Sequence, residues 1–451
     1  MVTNMRKRNY LQITTSLPGP KARRLIKKDN KFISKSHAKE YPLVVKRAKG
    51  AIVEDVDGNR FLDFTSGVAV CGTGHCHPEV VSVITKQAKE LLHMTGADFY
   101  NPLQIQLAEK LSNISPGPKP KRTFFGNSGT EAVEAAFKLS RYHTKRYMVI
   151  AFLNSFHGRS MGALSLTASK VTQRKRFHPL IPGVIHVPYA YCYRCYYGLK
   201  RENCDLYCVK WIKEELFKTL AAPEEIAAIF VEPIQGEGGY IVPPREFHEE
   251  IYKLAKEFGL LYVADEVQAG MGRTGKMFAS THFGIKPDII TVAKGIASGM
   301  PLSATIAHEK IMDWERGTHA STFGGNPVSC AAALKTIKLL EDGLIKNAAR
   351  MGKYLIKKLS ELQNTYEIIG DVRGIGLMIG IELVKNRKTK ERAIKERDAL
   401  IQKNFKKGLL LLECGRSVIR FIPPLNINKE QINTALAIFE ETLSELKKKK
   451  L

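Results

Sequence analysis

The sequence predicts an α/β protein with a mainly parallel sheet flanked by helices, and three observations carry that expectation. Short runs rich in Val and Ile at 147–152, 226–231, 260–264 and 289–293 have the length and unbroken apolar character of strands buried on both faces. Helix-like stretches separate them, as at 247–258, where Ile251, Leu254 and Ala255 recur at helical spacing. Each run also gives way to polar or glycine-bearing residues, and the carboxyl ends of strands are where open α/β sheets hold their ligands.

Taken in chain order, the first 100 residues contain an Asp57-Gly58 turn between apolar segments 51–56 and 60–64, which reads as a hairpin. A helix begins at Ser128-Gly129-Thr130-Glu131, followed by Ala132, Val133, Ala136, Phe137 and Leu139 at helical spacing. The parallel-strand region follows. Beyond Pro327 the pattern turns helical at 331–340 and 344–362, then strand-like at 377–383 and 418–422. The expected division is therefore an N-terminal segment (1–75) that joins a small C-terminal α/β domain (329–451), with a large domain (76–328) between them.

With 451 residues, 35 Gly, 20 Pro and 44% hydrophobic content, the chain is long enough for a sizeable core and too ordinary in composition for a fibrous or disordered protein. Its net charge of +26 raises the local concentration of anions without identifying any. The densest basic blocks, 5–8, 21–28 and 447–450, lie toward the termini and read as solvated tails. No recognised nucleic-acid motif accompanies them, so a nucleic-acid-binding protein with a vestigial enzyme fold is the distant alternative. No window approaches the ~18 uninterrupted apolar residues of a membrane span. Gln12-Ile13-Thr14-Thr15-Ser16 follows the basic N-terminus where a signal peptide would have its apolar core, so a cytoplasmic location is expected.

Ser128 and Glu131 have the spacing of a capping box, and a helix start with a glycine also suits an anion or phosphate group. Gly270-Met271-Gly272-Arg273-Thr274-Gly275-Lys276 matches the first seven positions of a nucleotide phosphate loop, but Met277 replaces the magnesium-binding hydroxyl, so nucleoside triphosphate binding is rejected. Gly374-Ile375-Gly376 lacks the third glycine of a dinucleotide loop at the required spacing. Asp265 and Lys294 end two apparent neighbouring strands, where a buried amine can attack a carbonyl and a carboxylate can keep a heterocyclic nitrogen protonated.

Six motifs, in order, complete the pattern. They are Gly126-Asn127-Ser128-Gly129-Thr130-Glu131-Ala132, Phe156-His157-Gly158-Arg159, Glu232-Pro233-Ile234-Gln235-Gly236-Glu237-Gly238-Gly239, Asp265-Glu266-Val267-Gln268, Thr291-Val292-Ala293-Lys294-Gly295 and Ser321-Thr322-Phe323-Gly324-Gly325-Asn326-Pro327. Together they resemble the class-III, pyridoxal-phosphate-dependent aminotransferases of fold type I, the group of the 4-aminobutyrate and ornithine aminotransferases and related amino-acid racemases. The likeness runs from about Tyr41 to Pro424.

The resemblance implies roles for individual residues. Lys294 would form the imine with the cofactor aldehyde and shuttle the substrate proton, and Asp265 would pair with the pyridinium nitrogen. Phe156 and Val267 would sandwich the ring, Gln268 would contact its hydroxyl, and Ser128, Gly129 and Thr130 would cup the phosphate. Thr322 would reach the phosphate of a neighbouring subunit, which implies a homodimer with shared sites. Arg159 and Arg420 would bind substrate carboxylates, with Glu237 pairing with Arg420 as a gate that admits both an amino donor and an acid such as 2-oxoglutarate.

The implied activity is amino transfer from an amino acid or ω-amino acid to a 2-oxo acid, with racemisation on the same fold as the alternative. Val68 stands where ornithine-specific members tend to carry tyrosine, which argues against dedicated ornithine recognition. Cys192, Cys195, Cys204 and Cys208 form a segment most members lack, with spacing that suits a small structural zinc site, disulfides or free thiols. His75-Cys76-His77-Pro78 reads as a structural turn rather than a metal site.

Overall fold

A computed structural model describes residues 11–448. The basic stretch 5–8 and the last residues of 447–450 lie outside the described residues.

Three sheets are formed in chain order. The first uses β1 (Val45–Lys49), β2 (Ile52–Asp55) and β3 (Arg60–Asp63). The second uses β4 (Lys121–Gly126), β5 (Met148–Phe152), β6 (Val184–Val187), β7 (Ile226–Val231), β8 (Leu261–Asp265), β9 (Ile289–Val292) and β10 (Ser303–His308). The remaining strands are β11 (Ile369–Ile375), β12 (Met378–Asn386), β13 (Glu391–Arg392), β14 (Leu409–Leu410), β15 (Leu412–Cys414) and β16 (Val418–Phe421).

The seven-stranded sheet runs β4-β10-β9-β8-β7-β5-β6. Strands β5 to β9 pair in parallel, while β10 is antiparallel to both β9 and β4. The expected α/β sheet is thus present, with an antiparallel margin that the apolar runs do not announce. All six residues of β7 and all five of β8 are buried. Alternate side chains serve opposite faces. Ile150, Phe152, Ile229 and Val231 belong to one apolar cluster, and Val149, Ala151, Ala228 and Phe230 to another. Helix Arg245–Glu257 covers one face by burying Phe247, Ile251, Leu254 and Ala255, and helix Gly129–Thr144 covers the other with Val133, Ala136 and Phe137.

The Asp57-Gly58 hairpin forms as expected, with Gly58 at φ 90°, a left-handed conformation that glycine adopts without a Cβ clash. The first sheet is completed from far along the chain, because β14 pairs in parallel with β3. The third sheet, β11-β12-β16-β15 with β13 beside β12, is backed by helices Ile345–Thr365 and Lys429–Lys448. One core cluster runs from Ile290 and Ile306 of the central sheet to Leu355, Ile381 and Phe421. Helices Pro78–Glu90, Pro102–Ile114 and Pro327–Leu339 each begin with proline, whose fixed φ and missing N–H suit the first helical position.

Candidate active site

The carboxyl ends of β5, β7, β8 and β9 open on one cavity of about 310 Å³. Asp265 closes β8 and pairs in register with Thr291 of β9, so Lys294 emerges just beyond the same edge. Lys294 adopts φ 41°, an uncommon left-handed conformation for a lysine, at the start of a short turn. Burial, and next the Arg420 guanidinium, lowers its amine to about 8. Asp265 Oδ1 accepts from the Val267 N–H at 3.0 Å and the Thr291 hydroxyl at 3.3 Å. Its Oδ2 lies 2.7 Å from His157 Nδ1.

The helix start differs in detail from a capping box. Glu131 reaches back to the Asn127 N–H at 2.7 Å, but the Ser128 hydroxyl donates to Glu131 at 2.9 Å instead of accepting from the helix backbone. With Glu131 drawing that hydroxyl away, no side chain caps the first-turn N–H groups. Ser128, Gly129 and Thr130 line the cavity. A Cβ on Gly129 would come within 2.8 Å of Val267 Cγ1, so only glycine lets the helix end approach this closely. An exposed positive helix end, a buried amine of lowered basicity and a carboxylate facing one cavity suit a phosphorylated aldehyde ring. The volume also fits a group of that size.

Phe156, Val267, Gln268 and Arg159 line the same cavity. The Gln268 side-chain oxygen accepts from the Tyr240 hydroxyl at 2.8 Å. Arg159 is exposed and forms no ion pair among the described residues. Arg420 and Glu237 do not line the cavity, but they meet at its side. Arg420 Nη1 lies 3.3 Å from Glu237 Oε2, and Arg420 Nε and Nη1 are buried without a hydrogen-bond partner. Thr322 sits apart on an exposed loop, next to Ser321, whose hydroxyl meets the Asn127 amide at 3.2 Å.

Three residues with contacts to this network were not singled out by the sequence for it. His157 is buried against Asp265, and although burial lowers an imidazole, the Asp265 hydrogen bond and charge raise it above its usual value. Glu232, accepting from the Phe156 N–H at 3.0 Å and the Gly236 N–H at 2.9 Å, is pushed by burial to about 7. Both lie inside quoted motifs, which was the available signal. Lys170 holds Glu237 at 2.8 Å and Glu413 at 2.7 Å, and nothing in its local sequence marks it. Burial raises the Glu237 carboxyl, but the Arg420 and Lys170 cations outweigh it and hold the group below its ordinary value.

The zinc expectation is not supported by the arrangement of these side chains. Cys192, Cys195, Cys204 and Cys208 do line one small cavity of about 20 Å³, and all are free thiols. Among the described residues, however, no group of three or more His, Cys, Asp or Glu side chains is arranged to hold a metal ion. Burial and the neighbouring sulfurs push the Cys208 thiol up to about 12.

The class-III aminotransferase family model matches residues 33–443. An alanine/serine racemase of Pyrococcus horikoshii is 40% identical, covering 97% of this chain and 93% of that protein. A leucine/methionine racemase of Thermococcus litoralis is 41% identical over 90% and 91%. A probable 4-aminobutyrate aminotransferase of Bacillus subtilis is 37% identical over 92% and 96%. Among solved structures, a Bacillus anthracis aminotransferase superposes with a TM-score of 0.87 at 33% identity, covering 94% of this chain and 99% of the other. A matched model spanning nearly the whole chain, on a fold and strand-end cavity of the kind described above, means that this chain belongs to the class-III aminotransferase family, whose members depend on pyridoxal phosphate.

Proposed function

We propose that this chain transfers an amino group from an amino acid or ω-amino acid to a 2-oxo acid such as 2-oxoglutarate. The observation that carries this reading is Arg420, buried with Nε and Nη1 making no hydrogen bond and with Glu237, its one ion-pair partner among the described residues, shared with Lys170. A buried guanidinium in that condition is poised for a carboxylate. Dicarboxylic acceptors bring one, and monocarboxylic amines leave Glu237 in place.

The bound cofactor supplies an electron sink for the substrate's Cα carbanion. Lys294, with its amine near 8, moves the Cα proton, since a base poised near working pH transfers protons best. Asp265, oriented by His157, Val267 and Thr291, holds the proton on the ring nitrogen. The open first turn at Gly129–Thr144 takes the phosphate. Phe156 and Val267 hold the ring plane, and Arg159 meets the second carboxylate. Thr322 serves the phosphate of a partner subunit in a homodimer, a role supported by its exposure and by the exposed Phe323 beside it. No helix among the described residues is long and apolar enough to cross a membrane. A cytoplasmic location belongs to the same reading and is supported by eight free thiols, which suit a reducing compartment.

Racemisation is the second reading, favoured by two relatives at 40% and 41% identity that are racemases. It requires a second acid/base opposite Lys294. Glu237 is the candidate side chain, yet the Arg420 and Lys170 cations hold its carboxyl below the ordinary value, which leaves it unsuited to donate a proton. One experiment separates the two: a single amino-acid enantiomer is incubated with and without 2-oxoglutarate. Acceptor-dependent glutamate formation supports amino transfer. Loss of optical activity without an acceptor overturns it in favour of racemisation.

A further inference from the structure

The strongest unassigned feature near the site is an alternating chain of charges: Arg420, Glu237, Lys170, Glu413, Arg397 and Asp398. Adjacent members lie 3.3, 2.8, 2.7, 3.1 and 2.6 Å apart. Glu237 divides its two oxygens, with Oε2 toward Arg420 and Oε1 on Lys170. The Lys170 contact is the shorter. Lys170 is itself held by Glu413, which Arg397 anchors in turn.

We propose that Lys170 is a positioning residue that sets acceptor specificity: it keeps hold of Glu237 when a dicarboxylate claims Arg420, so that the gate opens without stranding a largely buried carboxylate. The inference rests on the amino-transfer reading and adds the residue that makes the gate reversible. A largely buried carboxylate separated from its paired cation is disfavoured. With one oxygen already on Lys170, Glu237 needs only to give up its weaker contact. Without Lys170, Arg420 would be the one ion-pair partner of Glu237 among the described residues, and Glu237 would compete with the ligand for it.

The test is calorimetric binding of glutarate and propionate to the cofactor-loaded protein. Glutarate has the second carboxylate and propionate does not. Lys170→Met is expected to weaken glutarate on the order of tenfold and propionate less than about twofold, with Lys170→Arg restoring glutarate. In a Glu237→Gln background, where no carboxylate remains to be held, Lys170→Met is expected to change glutarate affinity less than about twofold. Equal weakening of both ligands, or a loss of glutarate that persists beside Glu237→Gln, overturns the proposal, because either outcome marks a general charge or folding effect. Neither ligand turns over, so a protein that forms no glutamate would refute the amino-transfer reading while this comparison still decides the role of Lys170.

Discussion

His157 Nδ1 stands 2.7 Å from Asp265 Oδ2, with both side chains shut away from solvent. Asp265 raises the imidazole above its ordinary value against the pull of burial. A raised folded value makes the pair's stabilisation complete below the unfolded imidazole value of about 6.5, and lost as pH rises through the folded one. His157→Gln is therefore expected to cost more stability in urea at pH 6 than at pH 9. An equal cost at both pH values would show that the imidazole is not held protonated.

Lys294, with its amine at about 8, gives a second pH-dependent expectation. Only the neutral amine attacks an aldehyde, so the rate at which the apo chain takes up pyridoxal phosphate should rise about tenfold per pH unit below that value and flatten above it. Arg420→Met removes a neighbouring cation and should shift the inflection upward. Lys294→Ala should abolish borohydride-reducible absorbance and cut turnover by at least about 10²-fold. Absorbance that survives in that variant would sink the assignment.

Gly129 leaves no room for a side chain beside Val267. Overpacking of this kind costs about 1–3 kcal/mol. Gly129→Ala should weaken cofactor binding about 10- to 100-fold, measured by equilibrium dialysis, and Gly129→Ala combined with Val267→Ala should recover part of the loss.

Phe230, next to the last residue of β7, is wholly buried and meets Phe137 edge-to-face at 6.0 Å. Phe230→Ala should lower stability by about 3–5 kcal/mol in chemical denaturation. A loss under about 1 kcal/mol would contradict a closely packed cluster on that face of the sheet.

The four clustered cysteines titrate with thiol reagents if they are free, as the structure has them. Dialysis against EDTA should leave the melting temperature unchanged, and elemental analysis should find no stoichiometric zinc. Stoichiometric zinc whose removal lowers the melting temperature would show that the cluster holds a structural metal.

Legibility followed unbroken apolar character rather than burial alone, since β10 is nearly all buried yet reads Ser-Ala-Thr-Ile-Ala-His. The strands β5, β7, β8 and β9 lie inside the parallel sheet and announce themselves as apolar runs. The antiparallel margin does not: β4 reads Lys-Arg-Thr-Phe-Phe-Gly and carries its own buried lysine, Lys121. The residues expected around Lys294 were legible because they cluster in short motifs at strand ends. Lys170 was not, because its meaning comes from Glu237 and Glu413, which only the folded chain brings to it.

The parallel pairing of β14 with β3 also bears on how the protein is made. As the polypeptide leaves the ribosome, the edge of β3 at Leu62 and Asp63 waits for Leu409 and Leu410, most of the length of translation later. Until then it is an open template for another nascent copy. Premature termination before that point should produce chains that clump rather than merely lose activity.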